Sequence, residues 1–267
     1  IQYEQFKLGK TIIGQEDVID EILISLFAGG HVLITGAPGL AKTLTVKTVS
    51  DVIDAHFQRI QFTPDLLPAD LVGTMIYHQA SGEFSVKKGP IFSNVVLADE
   101  INRAAPKVQS ALLEAMQERK VTIGNETHVL PAPFLVIATQ NPIEQSGTFE
   151  LPEAQLDRFM FFVEVQYPDR DEELRIARET TGAASQTIEP KVNGEQILKY
   201  QELVERVPVP DHIYDLAVDV VRATRPASDD APDFCKKLVS WGAGPRAIQY
   251  LIRGAKARAV LHGSYLV

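Results

Sequence analysis

The stretch "HVLITGAPGLAKTLTVKTV", from His31 to Val49, decides the fold. Its apolar start, His31–Thr35, reads as a buried strand, and from Lys42 a helical pattern takes over. Between them Gly36-Ala37-Pro38-Gly39-Leu40-Ala41-Lys42-Thr43 follows the phosphate-loop pattern G-x-x-x-x-G-K-[ST], except that Ala41 stands at the second glycine. Such a loop aims backbone N–H groups at phosphate oxygens where a helix dipole also favours negative charge. Lys42 supplies a cation for the β and γ phosphates, and Thr43 a hydroxyl for Mg²⁺. The position before the lysine already lies in the helix, where alanine is well suited and no positive φ is needed. Gly36 and Gly39 keep the freedom that the loop requires, so Ala41 is tolerated.

Working outward, short apolar runs at Arg59–Phe62, Val95–Ala98, Phe134–Thr139 and Phe161–Val165 read as further strands. Their continuous apolar character suits parallel strands covered on both faces. Helical patterns fall between them at Glu16–Ala28, Lys42–Asp54 and Lys107–Glu118, which predicts a three-layer α/β sandwich with a parallel sheet. Two segments break this rhythm. Thr74–Pro90 reads as a β-hairpin turning at Ser81-Gly82, and Lys120–Pro133 as another turning at Gly124-Asn125, both outside the central sheet. Beyond Tyr167 only helical patterns remain. These are Glu172–Thr180, Glu195–Val207, a stripe from Ile213 to Val221 with Asp211 as its N-cap, and a stripe from Ile248 to Ala259 started by Pro245.

Three more features bear on chemistry. "VVLADE", Val95–Glu100, is an apolar strand ending in two carboxylates: Asp99 is placed to order Mg²⁺ and Glu100 to polarise an attacking water. "VIATQNP" brings Asn141 to a third strand tip, where an amide can sense the γ-phosphate. Arg158, before the Phe161–Val165 run, and Arg246, at the start of the last helix, have two readings. Each either pairs with a surface carboxylate or stabilises transition-state charge, and spacing alone leaves both open.

Composition narrows the partners. With 267 residues, 45% hydrophobic and 23% charged, the chain can bury a sizeable core as one large or two smaller domains. Its one cysteine, Cys235, excludes an internal disulfide, fits a reducing compartment, and reads as a small core residue. A net charge of -9 argues against sequence-independent binding of nucleic acid, although a local basic surface in an oligomer stays open. No run approaches the roughly 18 apolar residues of a membrane span, and no leader pattern opens the chain, so a cytoplasmic protein is expected. It starts at Ile1 without methionine and stops at Val267 within a helical pattern, so incomplete ends are expected.

Together, "IIGQEDVI", "GGHVLITGAPGLAKT", "VVLADEINRAAPKVQSALLEAMQE", "FLVIATQNPIEQSGTFELPEAQLDRF" and "GAGPRA" resemble, in collinear order, the MoxR family of AAA+ ATPases. The "LAKT" ending is typical of that family. The resemblance implies an α/β ATPase core over residues 1–167, with hairpin insertions at about 74–90 and 120–133, and an all-helical lid over 168–267 that usually extends further. It implies ATP and Mg²⁺ as ligands and a ring, commonly a hexamer, with nucleotide at subunit interfaces. Thr43 and Asp99 would serve the metal, Glu100 would be the catalytic glutamate and Asn141 a sensor. Arg158 would be an arginine finger for the neighbour, and Arg246 a second sensor that acts across the interface in some relatives. Ile12, Ile13, Gly14 and Gln15 would line the adenine pocket, and the loop residues Gly36, Pro38, Gly39, Leu40, Ala41, Lys42, Thr43 and Leu44 would hold the phosphates. Family members are proposed to remodel or mature a protein client, including metal-cofactor insertion, often with a partner carrying a von Willebrand factor A domain.

Three other functions compete at this stage: a nucleotide-gated scaffold with little hydrolysis, a magnesium-chelatase-like ATPase subunit, and a DNA-processing AAA+ motor. The acidic balance speaks against the last, and neither nucleic acid nor a membrane span is expected among the partners.

Overall fold

The structure, a computed structural model, describes residues 15–37, 40, 42–142, 147–180 and 192–267. Five parallel strands form the central sheet: β1 (Val32–Gly36), β2 (Phe57–Gln61), β5 (Val95–Asp99), β8 (Leu135–Gln140) and β9 (Phe161–Val165), in spatial order β2-β5-β8-β1-β9. The three inner strands are apolar at nearly every position because side chains alternate between two covered faces. Val32, Ile34, Val95, Leu97, Leu135 and Ile137 enter one core, while Leu33, Val96, Ala98, Val136 and Ala138 enter the other. A fully buried leucine or isoleucine in such a core contributes about 1.5–3 kcal/mol.

Helices α1 (Glu16–Ala28) and α2 (Lys42–Val52) cover the first face, and α3 (Pro68–Val72) and α4 (Pro106–Glu118) the second. Acidic Glu16 and Asp17 suit the positive end of α1, and Gly29, at φ 68, stops it in the left-handed region. Pro106 opens α4 with a preset φ, and Arg119, at φ 55, closes it. The Arg119 guanidinium then donates to Gly29 O at 2.5 Å and Phe134 O at 3.1 Å, tying the ends of two helices to the sheet.

The two hairpins stand apart as small antiparallel sheets. One pairs β3 (Gly73–His78) with β4 (Glu83–Lys88), and the other pairs β6 (Lys120–Ile123) with β7 (Glu126–Val129). Gly124 at φ 62 makes the second turn.

After β9 every described element is helical apart from turns: α6 (Arg170–Thr180), α7 (Gly194–Arg206), α8 (Asp211–Ala223), α9 (Asp233–Leu238) and α10 (Pro245–Leu261), while α5 (Glu153–Leu156) precedes β9. Asn193 and Gln196 exchange side chain–backbone bonds at the start of α7, a capping box. α7 and α10 pack on α1, so Ile197, Val204, Ala257 and Val260 share the core of the first face. Cys235 is buried and free. Among the described residues, no helix is long and apolar enough to cross a membrane.

Three expectations need correction. Pro210, not Asp211, is the N-cap of α8; Asp211 already has helical backbone, so its charge acts on the helix dipole. Strand β2 starts two residues earlier than the apolar pattern suggested, at Phe57, because its outer positions are polar. The last helix ends at Leu261 and does not run to Val267, with Gly263 at φ 74 beyond it.

Candidate functional site

Three neighbouring strand tips, those of β1, β8 and β5, meet at the carboxyl edge of the sheet, where open α/β folds bind ligands. Gly36 ends β1 at φ 157, and a Cβ there would sit 2.7 Å from Val165 O, so only glycine fits between the loop and β9. Lys42 opens α2 and donates from Nζ to Gly36 O at 2.7 Å. Burial lowers its pKa, outweighing the Asp99 and Glu100 carboxylates, which raise it. Gln15 braces the loop: its Nε2 donates to Leu40 O at 2.8 Å, and its Oε1 accepts from Thr45 Oγ1 at 2.6 Å. Thr43 is half-buried in the first turn of α2, and Leu44 beside it is exposed. Ile12, Ile13, Gly14, Pro38, Gly39 and Ala41 lie outside the described residues.

The acid pair is held from three sides. Asp99, buried at the end of β5, accepts at Oδ1 from Thr139 Oγ1 at 2.6 Å, and at Oδ2 from Arg59 Nε and Nη2 at 2.9 and 2.6 Å. Glu100 has left-handed backbone, φ 57 and ψ 50, which costs a non-glycine residue about 1–3 kcal/mol. Its N–H donates to the same Thr139 hydroxyl at 2.9 Å, so one side chain fixes both acids. Gln61 Nε2 at 2.8 Å and Arg103 Nη1 at 3.2 Å both contact Glu100 Oε2, leaving Oε1 without a partner among the described residues. Past Glu100 the chain makes a 3-10 turn, Ile101–Arg103, gripped by buried Gln109, whose Nε2 lies within 3.2 Å of Ile101, Ala104 and Phe149 carbonyls. Asn141 is buried directly after β8, between the tips of β5 and β1.

Arg59, Gln61, Thr139, Arg103 and Gln109 escaped the reading of the sequence. A signal was present for the first two: they stand at alternate positions of one strand, so they share a face. That this face lies beside Asp99 follows only from β2 pairing with β5, which brings Gln61 opposite Asp99.

Arg158 and Arg246 are elsewhere. Arg158 precedes β9, at the amino edge of the sheet, and Arg246 lies in the first turn of α10. The two line one cavity of about 270 Å³ with Arg119, Tyr250, Arg253 and His31. Arg246 pairs with Asp157 at 3.2 Å, and Tyr250 OH donates to Arg158 O at 3.0 Å. His31 immediately precedes β1, whereas Lys42 follows its far end. A strand of that length spans roughly 17 Å, so the arginine pair and the phosphate loop of one chain occupy opposite edges of the sheet.

Comparison with known proteins places the chain among relatives. The family model for the ATPase family associated with various cellular activities (AAA) matches residues 31–161. The chaperone MoxR1 of Mycobacterium tuberculosis is 45% identical over 97% of this chain and 68% of its own length. The protein YeaC of Bacillus subtilis is 43% identical over 96% of this chain and 77% of its own. A crystal structure from Cytophaga hutchinsonii, provisionally described as an ATPase, superposes with a TM-score of 0.90 at 44% identity, covering 99% of this chain and 82% of that one. With identity this high sustained along nearly the whole polypeptide, the chain belongs to the MoxR family of AAA+ ATPases.

Proposed function

We propose that this protein hydrolyses ATP with Mg²⁺ at sites shared between copies of itself, and uses the cycle to remodel or mature a protein client. The observation that carries the reading is the meeting of Asp99, Glu100 and Asn141 at adjacent strand tips, with Lys42, at the start of α2, in the field of both acids.

The donor set suits Mg²⁺. The ion takes hard oxygen ligands and binds through one or two protein groups plus substrate phosphates, not in a cage of side chains. Thr43 offers a hydroxyl and Asp99 a carboxylate, and no group of three His, Cys, Asp or Glu able to hold a metal exists among the described residues. When bound, Mg²⁺ would neutralise charge on the phosphate oxygens. In this reading Gly36, Lys42 and Thr43 bind the phosphates, and Gln15 keeps the loop in place beside them. Glu100 takes a proton from the attacking water at Oε1, with Gln61 and Arg103 holding its other oxygen. Asn141 orients that water or the terminal phosphate. Residues 1–167 act as the ATPase core and 168–267 as the lid.

Arg158 and Arg246 lie too far from their own loop to serve it, so each copy would present them to the next copy's triphosphate. Such a head-to-tail arrangement closes into a ring when the rotation between copies permits, and six copies is our expectation. The name of the MoxR1 relative supports a chaperone role, and a von Willebrand factor A-domain protein is the partner we expect. The single cysteine fits a cytoplasmic setting.

The test is Glu100→Gln. It should bind ATP with unchanged affinity by calorimetry yet lose at least about 100-fold in turnover, the scale of a missing general base. Turnover within threefold of the parent protein would remove Glu100 from its role.

A further inference from the structure

The arginine cavity holds two more cations than the reading above uses, Arg119 and Arg253. On α10, Arg246, Tyr250 and Arg253 stand at i, i+4 and i+7, so one face of the helix carries all three to the same cavity. The guanidinia there differ in their engagements. Arg119 spends its donors on Gly29 O and Phe134 O, and Arg246 is paired with Asp157. Arg158 and Arg253 have no carboxylate partner among the described residues. Burial first, and then Arg253, lower the pKa of Arg119, against Tyr250; burial raises the pKa of Tyr250, against Arg246, Arg253 and Arg119.

Guanidinium groups keep their charge in proteins, so four of them around one cavity whose lining holds no carboxylate, with Asp157 paired to Arg246 beside it, favour an anion there. Planar donors at several angles suit phosphate oxygens. We propose that Arg253 is a third phosphate-binding guanidinium of this edge, contacting with Arg158 and Arg246 the polyphosphate held by the neighbouring copy. The inference rests on the shared-site reading. It assigns Arg119 to the wall of the site and Arg253 to its ligand.

The experiment is subunit mixing, with MgATP as the probe. Arg253→Gln, which keeps the polarity and much of the length of the side chain, should reduce turnover about ten- to a hundredfold, the range for losing one charge-assisted hydrogen bond. Lys42→Ala subunits bind no nucleotide but still present an intact Arg253. Mixed into one assembly with Arg253→Gln subunits, they should therefore raise turnover per Arg253→Gln subunit well above that variant alone. A purely structural role for Arg253 gives no such rescue. The control mixes Lys42→Ala with Arg158→Ala. If the control recovers activity while the Arg253→Gln mixture does not, or if Arg253→Gln alone matches the parent protein, the assignment of Arg253 is overturned and the shared site stands. If the control fails although size measurements show mixed assemblies, the shared-site reading falls and takes this inference with it.

Discussion

His31 gives a stability prediction with a magnitude attached. The imidazole is buried at the start of β1, with Nε2 facing Met116 O at 3.2 Å and Nδ1 accepting the Val136 N–H at 3.0 Å. This pattern fixes the neutral tautomer with its proton on Nε2, because a proton on Nδ1 would confront the Val136 donor. Burial, then the neighbouring Arg119 cation, push the pKa down to about 3, against the hydrogen bond to Met116 O. The sign follows by linkage: the unfolded chain takes up a proton near pH 6.5 and the folded protein does not, so folding free energy is lost as pH falls from 6.5 towards 3. At about 1.36 kcal/mol per unit, the loss between pH 7 and pH 5 is about 2 kcal/mol. For a chain of this size that lowers Tm by about 4–8 °C. His31→Gln offers an amide donor and acceptor without a titrating group, so its Tm should lack this component. Thermal melts of both proteins at pH 7, 6 and 5 read the difference, and NMR of the ring nitrogens reads the tautomer directly. Parallel pH curves for the two proteins, or an imidazole titrating near its ordinary value, would refute the reasoning.

Two further substitutions probe the site's scaffolding. Thr139→Val keeps the buried shape but removes the hydroxyl between Asp99 and Glu100. It should cost about 1–3 kcal/mol in urea denaturation and lower kcat more than it weakens nucleotide binding, and an unchanged kcat would show that the acids do not depend on it. Gly36→Ala drives a methyl group against Val165 O; a destabilisation of about 1–3 kcal/mol is expected, with weaker nucleotide binding, and a variant within about 0.5 kcal/mol of the parent protein would contradict the close approach.

What could be read from the sequence was what local pattern records. The inner strands announced themselves because both faces are covered, so Val95–Ala98 and Leu135–Ala138 are apolar throughout. The turn from β1 into α2 was legible because an apolar run there passes directly into a helical pattern. Helices α3, α5 and α9 were missed, since five, four and six residues carry too little periodicity to register. The clamp on the acids was hidden for a different reason. Arg59 and Thr139 are each forty positions from Asp99 along the chain, and only the strand order makes them neighbours. Arg246 illustrates the same limit: its pairing with Asp157 comes from the packing of α10 on α1, which no short window of sequence encodes.

Strand β1 is hydrogen-bonded along its length to β8 on one side and β9 on the other. Sliding it would break two registers at once, so it behaves as a ruler whose ends cannot drift. One end bears the phosphate loop and the other forms the floor beneath the arginine cluster. In the shared-site arrangement we propose, the distance from a copy's phosphate loop to its own arginine cluster would be set by this strand, and the geometry left to vary would be that of the contact between copies.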